Sequence, residues 1–283
     1  FDRAFDLRER IDQARRAGLL PPSGSLDERL HAARIGDLAG RHGDVMRICE
    51  EVAARARAAG DFDALARAAL IAGTALRPGV VDARLVAWLK EALAAVSVDD
   101  VALRSRLQGR LAAALQPAED PAVPCAMARE AIAMARTTGD DAIVAEVLLT
   151  AGAALVDFAG LAERIALAEE LHARATAAND GSKILRARAR LVVDFAERGD
   201  FAASEAQLDR LLELAAELGH PRFRWRSLVL SSMRAISRGD LDVSERCLVE
   251  AEALAGLTDD PASAISLVAH RIQRSRLLHL DGE

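Results

Sequence analysis

An all-α chain of stacked helical hairpins is the fold the sequence predicts, and three observations predict it. A seven-residue phrase occurs twice, GDFAASE at Gly199 to Glu205 and GDLDVSE at Gly239 to Glu245, with starts 40 residues apart. The same beat continues outside the phrase. First helices of successive hairpins are expected to start near Leu26, Phe62, Val101, Asp141, Ser182, Arg222 and Ala262. Breakers fall about midway between those starts, at Gly79, Pro117 with Pro121, Gly160, Gly199 and Gly239. The composition agrees: 51% of residues are hydrophobic, only 3% are aromatic, Tyr is absent and strand-type alternation is hard to find. Much of the apolar content is Ala, which favours helix and lets helices approach closely. A fixed period of this size marks an array in which one hairpin cannot bury its apolar stripe alone and its neighbours complete the core.

The repeated phrase explains the hairpin. Ile184, Ala187, Leu191, Val192 and Phe195 precede the first copy; Leu208, Leu211, Leu212, Ala215 and Leu218 follow it. Spacings of three and four put each set on one helical stripe. Trp225, Leu228, Val229 and Ile236, then Leu248, Ala251 and Leu254, do the same around the second copy. Glycine ends the first helix because it enters the left-handed region without a Cβ clash. Aspartate then starts the second, accepting from free backbone N–H groups at the positive dipole end.

Along the chain, residues 2–18 read as a charged helix with Phe5, Leu7, Ile11 and Ala14 on one side, and LLPPSGS (19–25) as a linker. Residues 1–25 are thus set apart from a repeat domain over 26–283. The first hairpin is expected as Leu26 to His42 and Asp44 to Ala59, turning at Gly43. The second begins at Gly60-Asp61, and its first helix is expected to run to about Leu76. Asp99-Asp100 open the third, which breaks at QPAEDP (116–121) and ends at Gly139-Asp140. The fourth turns near Gly160 and closes at NDGS (179–182). DDPAS (259–263) opens a seventh hairpin that stays incomplete. The start at Phe1 and that last helix (about Ala262 to Leu280) suggest a piece of a longer polypeptide.

Charge and motifs narrow the function. A net charge of −6 argues against a general nucleic-acid binder, and positive charge is almost wholly Arg, with Lys90 and Lys183 the only lysines. No apolar run nears the ~20 residues a membrane helix needs, and without a secretory signal a cytosolic setting is the default. Cys49, Cys125 and Cys247 are widely separated and read as small core residues. There is no phosphate-binding glycine loop, dinucleotide fingerprint or nucleophile elbow. The histidines never take zinc-ligand spacing; His31 and His42 are expected on one helix, but with no third ligand. No catalytic residue, metal or cofactor is expected, and the chain is read as a non-enzyme. Trp88 and Trp225 lie on apolar stripes, where core packing is the first reading.

One pattern stands above this background. Arg186, Arg188 and Arg190 open one first helix, and Arg222, Arg224 and Arg226 open the next. Residues four apart share a face, so Arg186 with Arg190, and Arg222 with Arg226, each form a basic patch. Arg271, Arg274 and Arg276 continue the theme. If first helices line one side, Arg186, Arg190, Arg222 and Arg226, with Trp225 beside them, form a ladder for an acidic segment. The bland alternative is a solvated face neutralised by Asp194 and Glu197.

The GD[FL]xxSE phrase resembles the turn and second-helix start of tetratricopeptide repeats, with Ser204 and Ser244 at the small position and Leu208 and Leu248 four residues on. Ser232 fits the small position of the first helix, while Ala235 stands where a Tyr is usual. LVAWLKEALAAV (85–96), ALRSRLQGRLAAAL (102–115), AREAIAMARTTGD (128–140), LAERIALAEELHARA (161–175) and FRWRSLVLSSMRAISRGDLDVSE (223–245) resemble, in that order, the repeat region of large bacterial STAND-type signalling ATPases, including LuxR-family activators related to the maltose-regulon activator. The resemblance spans roughly residues 40 to 256. It implies a right-handed superhelical solenoid of about seven antiparallel hairpins, tetratricopeptide-like with a period of about 40. It further implies a non-catalytic interaction or sensor arm whose partner is a protein segment or a neighbouring ATPase or effector module, with no direct contact to nucleic acid or membrane. The alternatives are a free-standing adaptor and a small-molecule effector-binding domain.

Overall fold

A computed structural model describes residues 24–74 and 79–255. Within them lie twelve helices and no strand: α1 (Leu26–Leu38), α2 (His42–Ala59), α3 (Phe62–Ala72), α4 (Ala83–Ala95), α5 (Val101–Ala114) and α6 (Ala122–Thr137). α7 (Asp141–Gly152), α8 (Leu161–Ala177), α9 (Gly181–Glu197), α10 (Phe201–Leu218), α11 (Pro221–Ser237) and α12 (Leu241–Ala255) complete the set. The expected helix at 2–18, the linker up to residue 23 and the expected seventh hairpin, with its arginines, lie outside the described residues, while Ser25 at the linker's end accepts from Glu28 N and caps α1.

Local chemistry sets most boundaries. Asp61, Asp82, Asp100, Asp140, Asp180 and Asp200 each accept from backbone N–H groups of the helix they open. Val243 N donates to Asp240 at 3.1 Å in the same way. Gly199 (φ 82°) and Gly239 (φ 77°) occupy the left-handed region that each repeated phrase needs. Two boundaries differ from expectation. The first turn is at Gly40 (φ 74°), whereas Gly43 lies inside α2, so His31 and His42 stand on different helices. α3 stops at Ala72, short of Leu76.

Packing follows a simple rule. Among the described residues, helices pack substantially on their chain neighbours, and otherwise only α1 on α3, α3 on α5, α5 on α7, α7 on α9 and α9 on α11. The odd-numbered helices therefore make one row in mutual contact. Small residues permit the approach: a Cβ at Gly109 in α5 would come within 3.2 Å of the Ala151 Cβ in α7. The even-numbered helices α2 and α4, and α6 and α8, are joined by ion pairs instead. Arg57 meets Glu91 at 2.6 Å, Arg84 meets Glu50 at 2.5 Å, Arg129 meets Glu163 at 2.7 Å and Arg136 meets Glu170 at 2.6 Å. Partners in all four are 34 residues apart.

The core is a series of clusters rather than one centre. One runs through α1 to α5 around Leu30, Ile48, Leu65, Leu89 and Leu107, and a second spans α5 to α9 around Ile132, Leu148 and Leu155. Others join α9, α10 and α11 through Leu185, Leu208 and Leu211, and α11 to α12 through Trp225 and Leu248. Burying such a leucine contributes roughly 1.5–3 kcal/mol. Small serines join consecutive helices at two of these clusters. Ser204 donates to the Val192 carbonyl at 2.8 Å, and Ser232 and Ser244 share a 2.8 Å hydrogen bond. Cys49 and Cys125 are buried and Cys247 is partly buried, all as free thiols. Burial, then the charge of Asp37, pushes the Cys49 thiol up to about 12.

Candidate functional site: the odd-helix groove and its arginines

The odd row lines a groove of about 740 Å³ to which α1, α3, α5, α7 and α9 all contribute. Its charges are mixed, and most are answered in place. Arg67 is held by Asp27 at 2.5 Å and Asp63 at 3.6 Å, and its hydrogen bond to Asp27 raises its pKa. Arg106 pairs with Glu146 at 2.8 Å. Lys183 pairs with Asp180, the residue that caps α9. Arg110 donates to the Gly73 carbonyl at 2.7 Å, tying α5 to the end of α3. Burial pushes the Arg110 guanidinium down to about 10, against the pull of Glu146 and Asp37.

Arg186, at the α9 end of this groove, is different. Its side chain is exposed, and among the described residues it makes neither a hydrogen bond nor an ion pair. It stands between the walls of a concavity, which strip water from its flanks. That loss of solvation, then the charges of Arg226, Arg222 and Arg110, lowers its pKa; Asp37 opposes the shift.

Arg186 also borders a second, smaller hollow of about 290 Å³ where α7, α8, α9 and α11 meet. Leu148, Leu155, Leu167, Leu171, Val193 and Leu230 give it apolar walls. Arg164, Arg190 and Arg226 join Arg186 in its lining. Arg164 and Arg190 are locked. Asp194 is fully buried and accepts from the Arg190 Nε at 2.7 Å, with Arg164 Nε at 3.5 Å. Arg164 also reaches Glu197 at 2.5 Å and donates to the Val156 carbonyl at 2.7 Å.

The sequence-derived ladder is therefore brought together only in part. Arg186, Arg190 and Arg226 converge on the small hollow, and Arg222 is close enough to act on the Arg186 charge. Arg190, however, is neutralised by Asp194, which lies one turn along the same helix. Arg188 donates to Gln207 of α10 at 2.7 Å and Arg224 pairs with Glu250 of α12, so the middle residue of each triplet faces the helix that follows its own. Trp225 does not belong with a partner-binding set. It is 7% exposed and packs with Val229, Leu248 and Ala251, as its place on an apolar stripe requires.

Sequence reasoning missed Arg110, Arg106, Arg164 and Asp37. Arg106 and Arg110 carry the same four-residue spacing on a first helix that singled out the later pairs; Arg164 carries no such signal. Among the described residues no group of three His, Cys, Asp or Glu is placed to hold a metal ion, and no helix is long and apolar enough to cross a membrane. No protein-family model and no curated protein matches the chain.

Proposed function

We propose that the chain is a non-catalytic recognition scaffold, a right-handed superhelix of antiparallel tetratricopeptide-like hairpins that binds a protein segment along its odd-helix groove. The observation that carries this reading is the groove itself, walled by five successive odd-numbered helices. Stacked hairpins leave such a surface because each unit covers only its neighbours. A core divided into successive clusters supports the same architecture.

The occupant is an acidic segment. Arg110, Arg186, Arg222 and Arg226 make the α9–α11 end electropositive, and Arg186 has a guanidinium to offer. Arginine's planar fork suits carboxylates, and charge-assisted hydrogen bonds contribute about twice a neutral one. The resemblance to STAND-type regulators supplies the setting: a repeat arm of a multidomain signalling or transcriptional regulator, docking on a nucleotide-binding module of the same polypeptide.

The test is isothermal titration of this chain against the nucleotide-binding module encoded in the same reading frame, with and without nucleotide. Micromolar binding that changes with nucleotide state is expected. No affinity in either state, or a reading frame without such a module, removes the regulator setting.

A further inference from the structure

We propose that the hollow between α7, α8, α9 and α11 is a binding site for a small amphipathic carboxylate, an unbranched apolar chain ending in one carboxyl group, which Arg186 takes in a salt bridge. The inference concerns a site distinct from the long groove and stands whether or not that groove binds a partner.

Three properties of the hollow specify the ligand. Its volume of about 290 Å³ is just below the ~300–1,000 Å³ that drug-sized ligand sites occupy, so the guest is short. Its walls come from leucines and two valines on four helices and the turn after α7, with no aromatic residue in the lining, so the buried part of the guest is aliphatic. Its polar lining is cationic. Arg164 and Arg190 are answered by Asp194 and Glu197 and serve as fixed wall. Arg186 is not answered by any described residue, and Arg226 reinforces the positive potential around it.

Leaving a guanidinium unpaired among other arginines has a free-energy cost that an anion relieves. A carboxylate at Arg186 supplies the missing acceptor while its chain covers the leucines. A fully apolar guest does nothing for the arginine, and a small hydrophilic anion leaves the walls wet. Because Arg186 borders both cavities, a guest in the hollow also competes with any acidic segment that reaches Arg186 from the groove.

The experiment is isothermal titration of the full 283-residue chain, at low salt, with octanoate, 1-octanol and acetate in turn. Saturable 1:1 binding of octanoate is expected, at least tenfold tighter than either control. Arg186→Gln should weaken octanoate about ten- to a hundredfold, the worth of one charged hydrogen-bonded contact, and leave octanol unchanged. Since Arg186 holds no other group in place, that variant should keep the wild-type helical circular dichroism and melting temperature. Leu167→Trp, which fills the hollow, should remove octanoate binding; if that variant unfolds, the Arg186→Gln arm decides alone. Three results overturn the proposal: no saturable octanoate binding at millimolar concentration, octanol binding as tightly as octanoate, or wild-type octanoate affinity in Arg186→Gln. None of them bears on a Glu-rich peptide, the probe for the groove, so the two readings fail separately.

Discussion

The even-numbered and odd-numbered helices use the same residue, arginine, to opposite ends. Between α2 and α4, and between α6 and α8, Arg57, Arg84, Arg129 and Arg136 each meet a glutamate 34 residues away. These pairs bridge even-numbered helices on a solvated side and ask for nothing further. On the odd row Arg186 has no such partner, faces two cavities and is surrounded by like charge. Arginine content alone therefore does not locate a binding surface. What matters is whether each guanidinium is answered within the fold, and that contrast can be broken or sharpened by mutation.

The largest effect is expected at Asp194, where the fold answers two arginines at once. Asp194→Ala should destabilise by about 3 kcal/mol, because Arg164 and Arg190 are left beside a buried void without their common acceptor. Urea unfolding followed by circular dichroism measures it, and a loss below 0.5 kcal/mol, roughly that of an ordinary surface change, would show that Asp194 is no anchor. Arg190→Glu should be harmful for the same reason, since it sets a second carboxylate against the first. A charge-reversal test is therefore cleaner when Arg190 is left in place than across all four sequence-derived arginines.

A smaller effect is expected in the even row. A double-mutant cycle on Arg129 and Glu163 should return a coupling of ~0.2–1 kcal/mol, shrinking as salt rises. The hydrogen bond from Arg129 holds the Glu163 carboxyl below its ordinary value. A carboxyl lowered on folding stabilises at pH above its unfolded pKa of ~4.3, and that contribution is lost as pH falls through the lowered folded value. Glu163→Gln should remove that part of the acid transition, and an unchanged transition would break the pairing.

His172, on α8, gives a second pH handle. Burial, then Arg188 and Arg210, lowers its pKa, so the fold prefers the neutral ring. Its stability contribution is complete above the ordinary histidine value of ~6.5 and is lost as pH falls through the lowered one. His172→Gln should flatten the fall in stability below about pH 6.5, and an unchanged pH profile would show that the ring carries none of it. The smallest effect belongs to Arg186 itself: Arg186→Gln should leave the melting temperature unchanged or slightly higher. A clear drop would mean that the arginine is a structural support.

How much of this the sequence carried depends on the range of the forces involved. Helix starts near Leu26, Phe62, Val101 and Asp141 fall where expected, and those near Ser182 and Arg222 fall one residue early, because aspartate caps and glycine stops act within one turn. Gly43 and Gly40 are equivalent punctuation in the sequence. Only the buried His42 and the packed start of α2 select Gly40. In the site, the neutralised state of Arg190 was legible in Asp194 four residues on. So was the unanswered state of Arg186, whose helical neighbours at three and four residues are Ser182, Lys183, Ala189 and Arg190, none of them acidic. Arg110 and Arg164 approach Arg186 through packing between helices far apart in the chain, which no local pattern encodes.

The most direct test of the contrast compares three forms of the chain for affinity to a Glu-rich twelve-residue peptide: wild type, Arg186→Glu with Arg226→Glu, and Arg129→Glu with Arg136→Glu. The two variants change net charge equally, so a bulk electrostatic effect cancels between them. The account predicts at least a tenfold loss in the odd-row variant, and near wild-type affinity in the even-row variant at some cost in stability. Equal losses in both, or a loss confined to the even row, would contradict it.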